Sequence, residues 1–368
     1  MQTEAPRFLF VPVSGPGGAG EYYRSLAIAR GFEQRWPGCR VRFVLNRSAP
    51  YAAAAPYPGL RIDDSPTRST AAVVEYIASE RPDVVIFDNA GRQAQFRAAR
   101  AAGAAVVYVS SRPSTRRKGF GLRRMRALDQ HWIVHPAFLS RVPNWYERCK
   151  LSVAGGPDLV FLEVMHEQID GPGTQAMQQQ LGIEPRRYVV FCPGGGGTFD
   201  PSVDPARVYL SGAQQVAAAK GVTVVAVLGP RLVGSLTDAD QRPGLRILSS
   251  LPQGVLLGLI RDATVAAVNG GSLLLQSMAQ RVPLLAAPIA SDQLERIRQC
   301  ARHGYVRPVR LGAAELAAGV NALLDDEVAR AKLSAQLERL GLRNGVDTAK
   351  EAVERLVRRA AEQKEVRA

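Results

Sequence analysis

Mostly apolar runs recur along the chain and alternate with stretches in which apolar and polar residues mix at helical spacing. The runs are Phe8–Val13, Val41–Leu45, Val84–Phe87, Ala105–Val109, Trp132–Val134 and Leu159–Leu162. They resume at Tyr188–Cys192, Val222–Leu228, Arg246–Leu248, Thr264–Val268, Leu284–Ala287 and Val306–Val309. A strand covered on both faces needs no polar side, so continuous Val, Ile and Leu predict parallel strands. Between them Glu21–Arg35, Gln93–Ala102, Pro205–Lys220 and Leu273–Gln280 read as helices. Strand and helix in turn is the pattern of a parallel α/β sheet.

The pattern runs twice, and each half opens with an apolar strand that ends in a glycine-rich turn: FLFVPVSGPGGAGE and YVVFCPGGGGTFD. The polar stretch around residues 165–185 separates them. The reading is therefore two Rossmann-like domains, residues 1–170 and 171–345. Residues 346–368 form a terminal helix that packs back on the first domain or caps the second. A length of 368 residues supports two such domains, since single cores seldom exceed about 250–300 residues.

Composition narrows the partners. The formal net charge of +14 favours anionic molecules: nucleotide phosphates, lipid diphosphates, a membrane leaflet or nucleic acid. Nucleic acid is the least expected of these. Four scattered cysteines carry no metal-ligand or disulfide spacing, which suits a reducing cytoplasm. No apolar window approaches the roughly 18–20 residues that span a bilayer, so membrane contact is expected to be peripheral, on the inner face. Neither a cofactor nor a metal is expected.

A glycine-rich turn between strand and helix lets backbone amides approach a phosphate. Gly15, Gly17, Gly18 and Gly20 form one such turn, and Gly194, Gly195, Gly196 and Gly197 the other. A dinucleotide reading of the first requires an acidic residue at the end of the second strand. That strand ends Val44-Leu45-Asn46-Arg47, which disfavours NAD. The segment from Leu251 to His303 reads as helix, short strand, an Asn269-Gly270-Gly271-Ser272 turn, helix, strand, and an Asp292-Gln293 pair opening a further helix. Free amides at Gly270, Gly271 and Ser272 suit a diphosphate, and Asp292 with Gln293 suit sugar hydroxyls.

Gly18-Ala19-Gly20-Glu21-Tyr22-Tyr23-Arg24-Ser25-Leu26-Ala27-Ile28-Ala29 resembles the opening motif of GT-B enzymes. Among these are the pseudaminic-acid-pathway nucleotide-sugar hydrolase and, more loosely, the peptidoglycan transferase that adds GlcNAc to lipid I. The order of Leu251–His303 resembles the donor motif of the same GT-B group, which includes the UDP-glycosyltransferases. The resemblance implies two Rossmann-like domains with parallel sheets facing an interdomain cleft. It implies an inverting, metal-independent glycosyltransferase acting on a nucleotide-sugar (UDP-, GDP-, dTDP- or CMP-linked). The acceptor would be a glycan or lipid-linked sugar of the cell envelope. A nucleotide-sugar hydrolase and a non-catalytic nucleotide-binding module are the alternatives.

Carried over residue by residue, Gly270, Gly271 and Ser272 hold the diphosphate, Gln276 the ribose, and Asp292 and Gln293 the sugar. The base lies near Leu251 and Leu256, and Arg231 steadies the leaving group, a task that suits bidentate arginine. Glu21 stands where the motif has a histidine; a carboxylate can also serve as general base. Asp88, at a strand end, and His135 are further candidates for acid–base work, with His131 beside it. The stretch Ser111–Arg126 holds seven Arg or Lys among sixteen residues, interleaved with Phe120, Leu122 and Met125. It is expected to be a loop whose Arg116, Arg117, Lys118, Arg123 and Arg124 meet a membrane or an anionic acceptor.

Overall fold

The computed structural model describes residues 5–15, 20–49, 51–140, 142–194 and 202–365, without the side chains of 230, 231 and 359–365. The chain divides into two compact units. One is Met1–Met165 together with Arg343–Ala368, and the other is His166–Leu342.

The first unit contains β1 (Arg7–Pro12), β2 (Arg40–Asn46), β3 (Gly59–Ile62), β4 (Val84–Asp88), β5 (Ala105–Ser110), β6 (Gln130–Val134) and β7 (Asp158–Leu162). Their order across the sheet is β3-β2-β1-β4-β5-β6-β7, and every pairing is parallel. Phe8, Phe10, Val84, Ile86, Val107 and Val109 bury one face; Leu9, Val11, Val85, Phe87, Val106 and Tyr108 bury the other. The sequence pattern missed β3. Gly59-Leu60-Arg61-Ile62 is a short edge strand, mostly half-exposed, so it lacks the continuous apolar run that marks a buried one.

The terminal helix Gly345–Glu365 belongs to this first unit. Ala349, Ala352, Val353 and Leu356 enter its core, beside the helix Gly20–Arg35 and β7. Gly31 sits at the crossing, where any side chain would collide with Val346. Gln130 donates to the Ala352 carbonyl at 2.9 Å, and Arg35 pairs with Glu354.

The second unit contains β8 (Tyr188–Cys192), β9 (Thr223–Val227), β10 (Leu245–Leu248), β11 (Val265–Asn269), β12 (Leu284–Ala287) and β13 (Arg307–Pro308), in the order β10-β9-β8-β11-β12-β13, again all parallel. In a parallel sheet all carboxyl ends lie on one edge. Each order reverses at one place, between β1 and β4 in the first unit and between β8 and β11 in the second. Ligands of open α/β sheets bind in the crevice outside the strand ends at that reversal.

Candidate functional site

At the reversal in the first unit, Asp88 ends β4 and Glu21 opens the helix Gly20–Arg35. Asp88 is fully buried, and Arg24 grips it twice, Nε to Oδ2 at 2.8 Å and Nη2 to Oδ1 at 2.6 Å. Burial raises the Asp88 carboxyl above its ordinary value, against the downward pull of Arg24. Asp88 is thus a buried counterion, out of reach of a substrate proton, which corrects its reading as an acid–base residue.

Glu21 is nearly buried, at 8% exposure. Its Oε1 accepts from Arg112 Nη2 at 2.5 Å and from Asn89 Nδ2 at 3.0 Å. Both bonds fall on one oxygen, so among the described residues Oε2 has no hydrogen-bond partner. Asn89 follows β4 with a left-handed φ of 51°, a conformation asparagine tolerates better than most residues. Its amide also donates to Ser111 Oγ at 2.7 Å and accepts from the Ser111 N–H at 3.1 Å, fastening β4 to the end of β5. Arg112 was not among the expected functional residues.

Arg112 leads into a cavity of about 350 Å³ lined by Ser110, Ser111, Arg112, Pro113, Arg116, Ile133, Val134, His135, Leu139 and Ser140. It sits at the carboxyl ends of β5 and β6. His135 is on its wall, with a φ of 105°. His131 lies fully buried behind it, its Nε2 2.8 Å from Ser110 Oγ. Burial, with the positive charge of Arg116 and Arg124, lowers its pKa to about 3. His131 is therefore a neutral core residue, not a base.

The basic stretch is not a loop. It folds into two short helices, Pro113–Gly119 and Leu122–Met125. Phe120 and Met125 turn inward to pack with Ile133. Arg116 pairs with Glu147 and donates to the Ser140 carbonyl. Arg124 lies over the rings of Tyr108 and Phe96, 4.7 and 5.0 Å from their centroids. Arg117, Lys118 and Arg123 remain exposed.

At the reversal in the second unit, Asn269 ends β11 and bridges two turns. Its Nδ2 donates to the Pro193 carbonyl after β8 at 2.6 Å, and its Oδ1 accepts from the Gly271 N–H at 3.0 Å. Gln293 Oε1 accepts from the Gly270 N–H and the Ile289 N–H, both at 3.0 Å. Arg296 Nη1 donates to the Gly270 carbonyl at 2.5 Å and Nη2 pairs with the exposed Asp292. The amides of Gly270 and Gly271 are therefore engaged from within, not free as the sequence suggested. Gln293 spends its oxygen on the loop. Gly270 has no room for a side chain, since a Cβ would lie 2.6 Å from Ile297 Cδ1 and 2.8 Å from Gln293 Cβ. Gly194 has a left-handed φ of 69°, and a Cβ there would lie 2.7 Å from Asn269 Nδ2.

Leu251 follows β10, Ser272 heads the helix Ser272–Met278, and Gln276 lies one turn into it with little exposed surface. Leu256, partly exposed, is in the helix Gln253–Arg261. Gly20 begins the helix after β1. Gly17, Gly18, Gly195, Gly196 and Gly197 lie outside the described residues, as does the side chain of Arg231.

Two all-parallel units of seven and six strands have counterparts among solved glycosyltransferases. A glycotransferase of kitacinnamycin aligns over 96% of this chain and 100% of its own, with 18% identity and a TM-score of 0.61. A UDP-glucose: anthocyanidin 3-O-glucosyltransferase in complex with UDP aligns over 96% and 99%, with 12% identity and a TM-score of 0.65. MurG of Acinetobacter baumannii aligns over 95% and 99%, with 13% identity and a TM-score of 0.62. The chain has the GT-B fold. No family model matches it, and no curated protein matches its sequence. At these identities the likeness establishes the GT-B fold alone, and the chemistry rests on the residues at the two strand-end edges.

Proposed function

We propose that this protein is a glycosyltransferase that moves a sugar from a nucleotide-sugar donor to an acceptor hydroxyl, with inversion and without a metal ion. The observation that carries the reading is the pair of loops, Pro193-Gly194 and Asn269-Gly270-Gly271, fastened together by Asn269 at the reversal of a GT-B second unit. Glycine at these positions keeps side chains out of the space beyond the strand ends, where ligands of open α/β sheets bind, and that suits a flat, extended anion such as a nucleoside diphosphate. Arg231, in the short helix Pro230–Val233 after β9, supplies positive charge for the departing diphosphate, and Asp292 hydrogen-bonds the donor sugar.

Glu21 Oε2 removes the proton of the acceptor hydroxyl. The acceptor oxygen then forms a bond to the anomeric carbon as the bond from that carbon to the phosphate oxygen breaks. The electron pair leaves with the nucleotide diphosphate. Arg112 and Asn89, both on Oε1, fix the carboxylate so that its second oxygen is the one presented. The cavity beside Arg112 receives the acceptor. Its walls of Pro113, Ile133, Val134 and Leu139 suit a molecule with an apolar portion next to its hydroxyl, which a lipid-linked sugar provides. A site for water alone needs no such cavity, which favours transfer over hydrolysis.

The test is a thermal-shift screen against UDP-, GDP-, dTDP- and CMP-sugars, followed by product analysis with and without acceptor alcohols. One nucleotide class is expected to raise the melting temperature, and sugar is expected to leave it only when acceptor is present. Release of free sugar without acceptor makes the protein a hydrolase. Stabilisation by none of the four ends the enzyme reading.

A further inference from the structure

We propose that the helix Trp145–Ala154 is a docking face for an anionic lipid bilayer, formed by an outward apolar stripe within a field of uncompensated positive charge. The proposal is independent of the transferase reading. The helix has two unlike sides. Leu151 and Ala154 point inward and cover Phe120, Met125 and Ile133, and Glu147 on the same side pairs with Arg116. Trp145, Cys149 and Val153 follow at four-residue intervals on the opposite side. Trp145 is 76% exposed and Val153 69%; Tyr146 and Val142 beside them are 55% and 58% exposed. These are four of the eight large apolar residues with high exposure among the described residues, gathered in twelve consecutive positions. Water gains nothing from such a stripe, and clustered apolar surface on a soluble fold marks a contact site.

Charge selects the occupant. From Ser111 to Gly156 the chain has ten Arg or Lys and two carboxylates, Asp129 and Glu147. Both carboxylates are ion-paired, with Arg100 and Arg116. Arg117, Lys118, Arg123, Arg126 and Arg148 are exposed. The helix Leu122–Met125 packs directly on Trp145–Ala154. Trp and Tyr favour the level of lipid headgroups, where one end of the ring is apolar and the other wet, and each nearby cation raises partitioning to an anionic leaflet about fivefold. No described helix is long and apolar enough to cross a membrane, so the contact is superficial.

The experiment is flotation of the full chain with vesicles of phosphatidylcholine, with and without phosphatidylserine, while following tryptophan emission. Trp132 is buried and Trp36 half-buried, so the response to lipid comes chiefly from Trp145. Co-flotation with the phosphatidylserine vesicles and a blue shift of emission are expected. The double substitution Trp145→Ala with Val153→Ser is expected to abolish both. Reversing Arg117, Lys118 and Arg123 to Glu is expected to weaken binding by about a hundredfold or more. All five positions are exposed, so the variants keep the parent melting temperature and circular dichroism. Failure of the parent chain to float overturns the proposal. So does a concentration-dependent dimer that the Trp145 and Val153 changes dissolve, because the face then belongs to a second copy of the chain.

Discussion

The two sheet reversals solve the same geometric problem with opposite materials. In the first unit the strand ends are held by charge: Arg24 on Asp88, and Arg112 on Glu21. In the second they are held chiefly by neutral amides, with Asn269 and Gln293 tying glycine loops together and Arg296 adding one bond to the Gly270 carbonyl. Every buried acid and the buried histidine among the described residues, Glu21, Asp83, Asp88 and His131, belongs to the first unit. The buried polar side chains of the second are Thr174, Gln178, Asn269, Gln276, Ser277 and Gln293, all uncharged. The contrast fits the proposed chemistry. Proton transfer needs a titratable group fixed by partners, whereas a diphosphate that carries its own charge is better met by oriented dipoles. The first edge should therefore fail when charge is altered, and the second when backbone shape is altered.

Glu21→Gln gives the largest expected effect. The amide keeps the size of the carboxylate and loses the proton acceptor, so transfer should fall about 10²–10⁴-fold. Donor binding, measured by thermal shift, should be unchanged. Glu21→Gln with full transferase activity would remove Glu21 as the base and leave the acceptor cavity without its chemistry.

Asp88→Leu follows, and acts on stability. Arg24, with only 12% of its side chain exposed, loses its bidentate partner. A buried charge stripped of its partner costs about 3–5 kcal/mol. Urea titration should show that loss, and the double change Arg24→Leu with Asp88→Leu should recover much of it. No recovery would mean that Asp88 contributes something other than charge neutralisation.

The sequence displayed the fold and the loops far better than the chemistry between side chains. Twelve of the thirteen described strands were visible as apolar runs, the central ones most plainly, because a strand covered on both faces has no polar positions to break the run. β3 was hidden because it is four residues long, includes Gly59 and Arg61, and is mostly half-exposed. The glycines of the second reversal were legible since left-handed backbone and close packing leave few other choices, as Gly194 and Gly270 show, whereas Gly15 and Gly20 in the first have open space where a side chain would stand. Pairings across distant segments left no such trace. Arg24 with Asp88 spans 64 residues and Arg112 with Glu21 spans 91, and neither spacing carries a period. Asp88 looked reactive because a carboxylate at a strand end is common to ion pairs and active sites alike. The basic stretch was misjudged for a related reason. Phe120 and Met125 look as exposed as Leu122 until the helix from Trp145 is placed over them.

His131 sharpens the contrast through pH. Its folded pKa of about 3 lies below the ordinary imidazole value of 6.5. The unfolded chain therefore takes up a proton below pH 6.5 that the folded one refuses until near pH 3. Stability is fully present above 6.5 and declines as the pH falls toward 3. Between pH 7 and 5 the loss from this one group is about 2 kcal/mol. Urea titrations at the two pH values should show it in the parent, and His131→Gln should reduce the difference by that amount. An undiminished difference would place the acid sensitivity on other groups.

Gly194→Ala is the smallest change and probes the second edge alone. Alanine in the left-handed region costs about 1–2 kcal/mol. The stiffer unfolded chain returns about 0.4–1 kcal/mol, so the net loss of stability should be roughly 1 kcal/mol. The new methyl group presses on Asn269 Nδ2, and Asn269 holds both the Pro193 carbonyl and the Gly271 amide, so one displacement disturbs two loops at once. The thermal shift produced by the nucleotide-sugar should therefore shrink by more than the stability loss accounts for, while the pH dependence from His131 stays as in the parent. If donor binding survives Gly194→Ala intact, the ligand does not lie on this loop, and the amide-held edge is scaffold only.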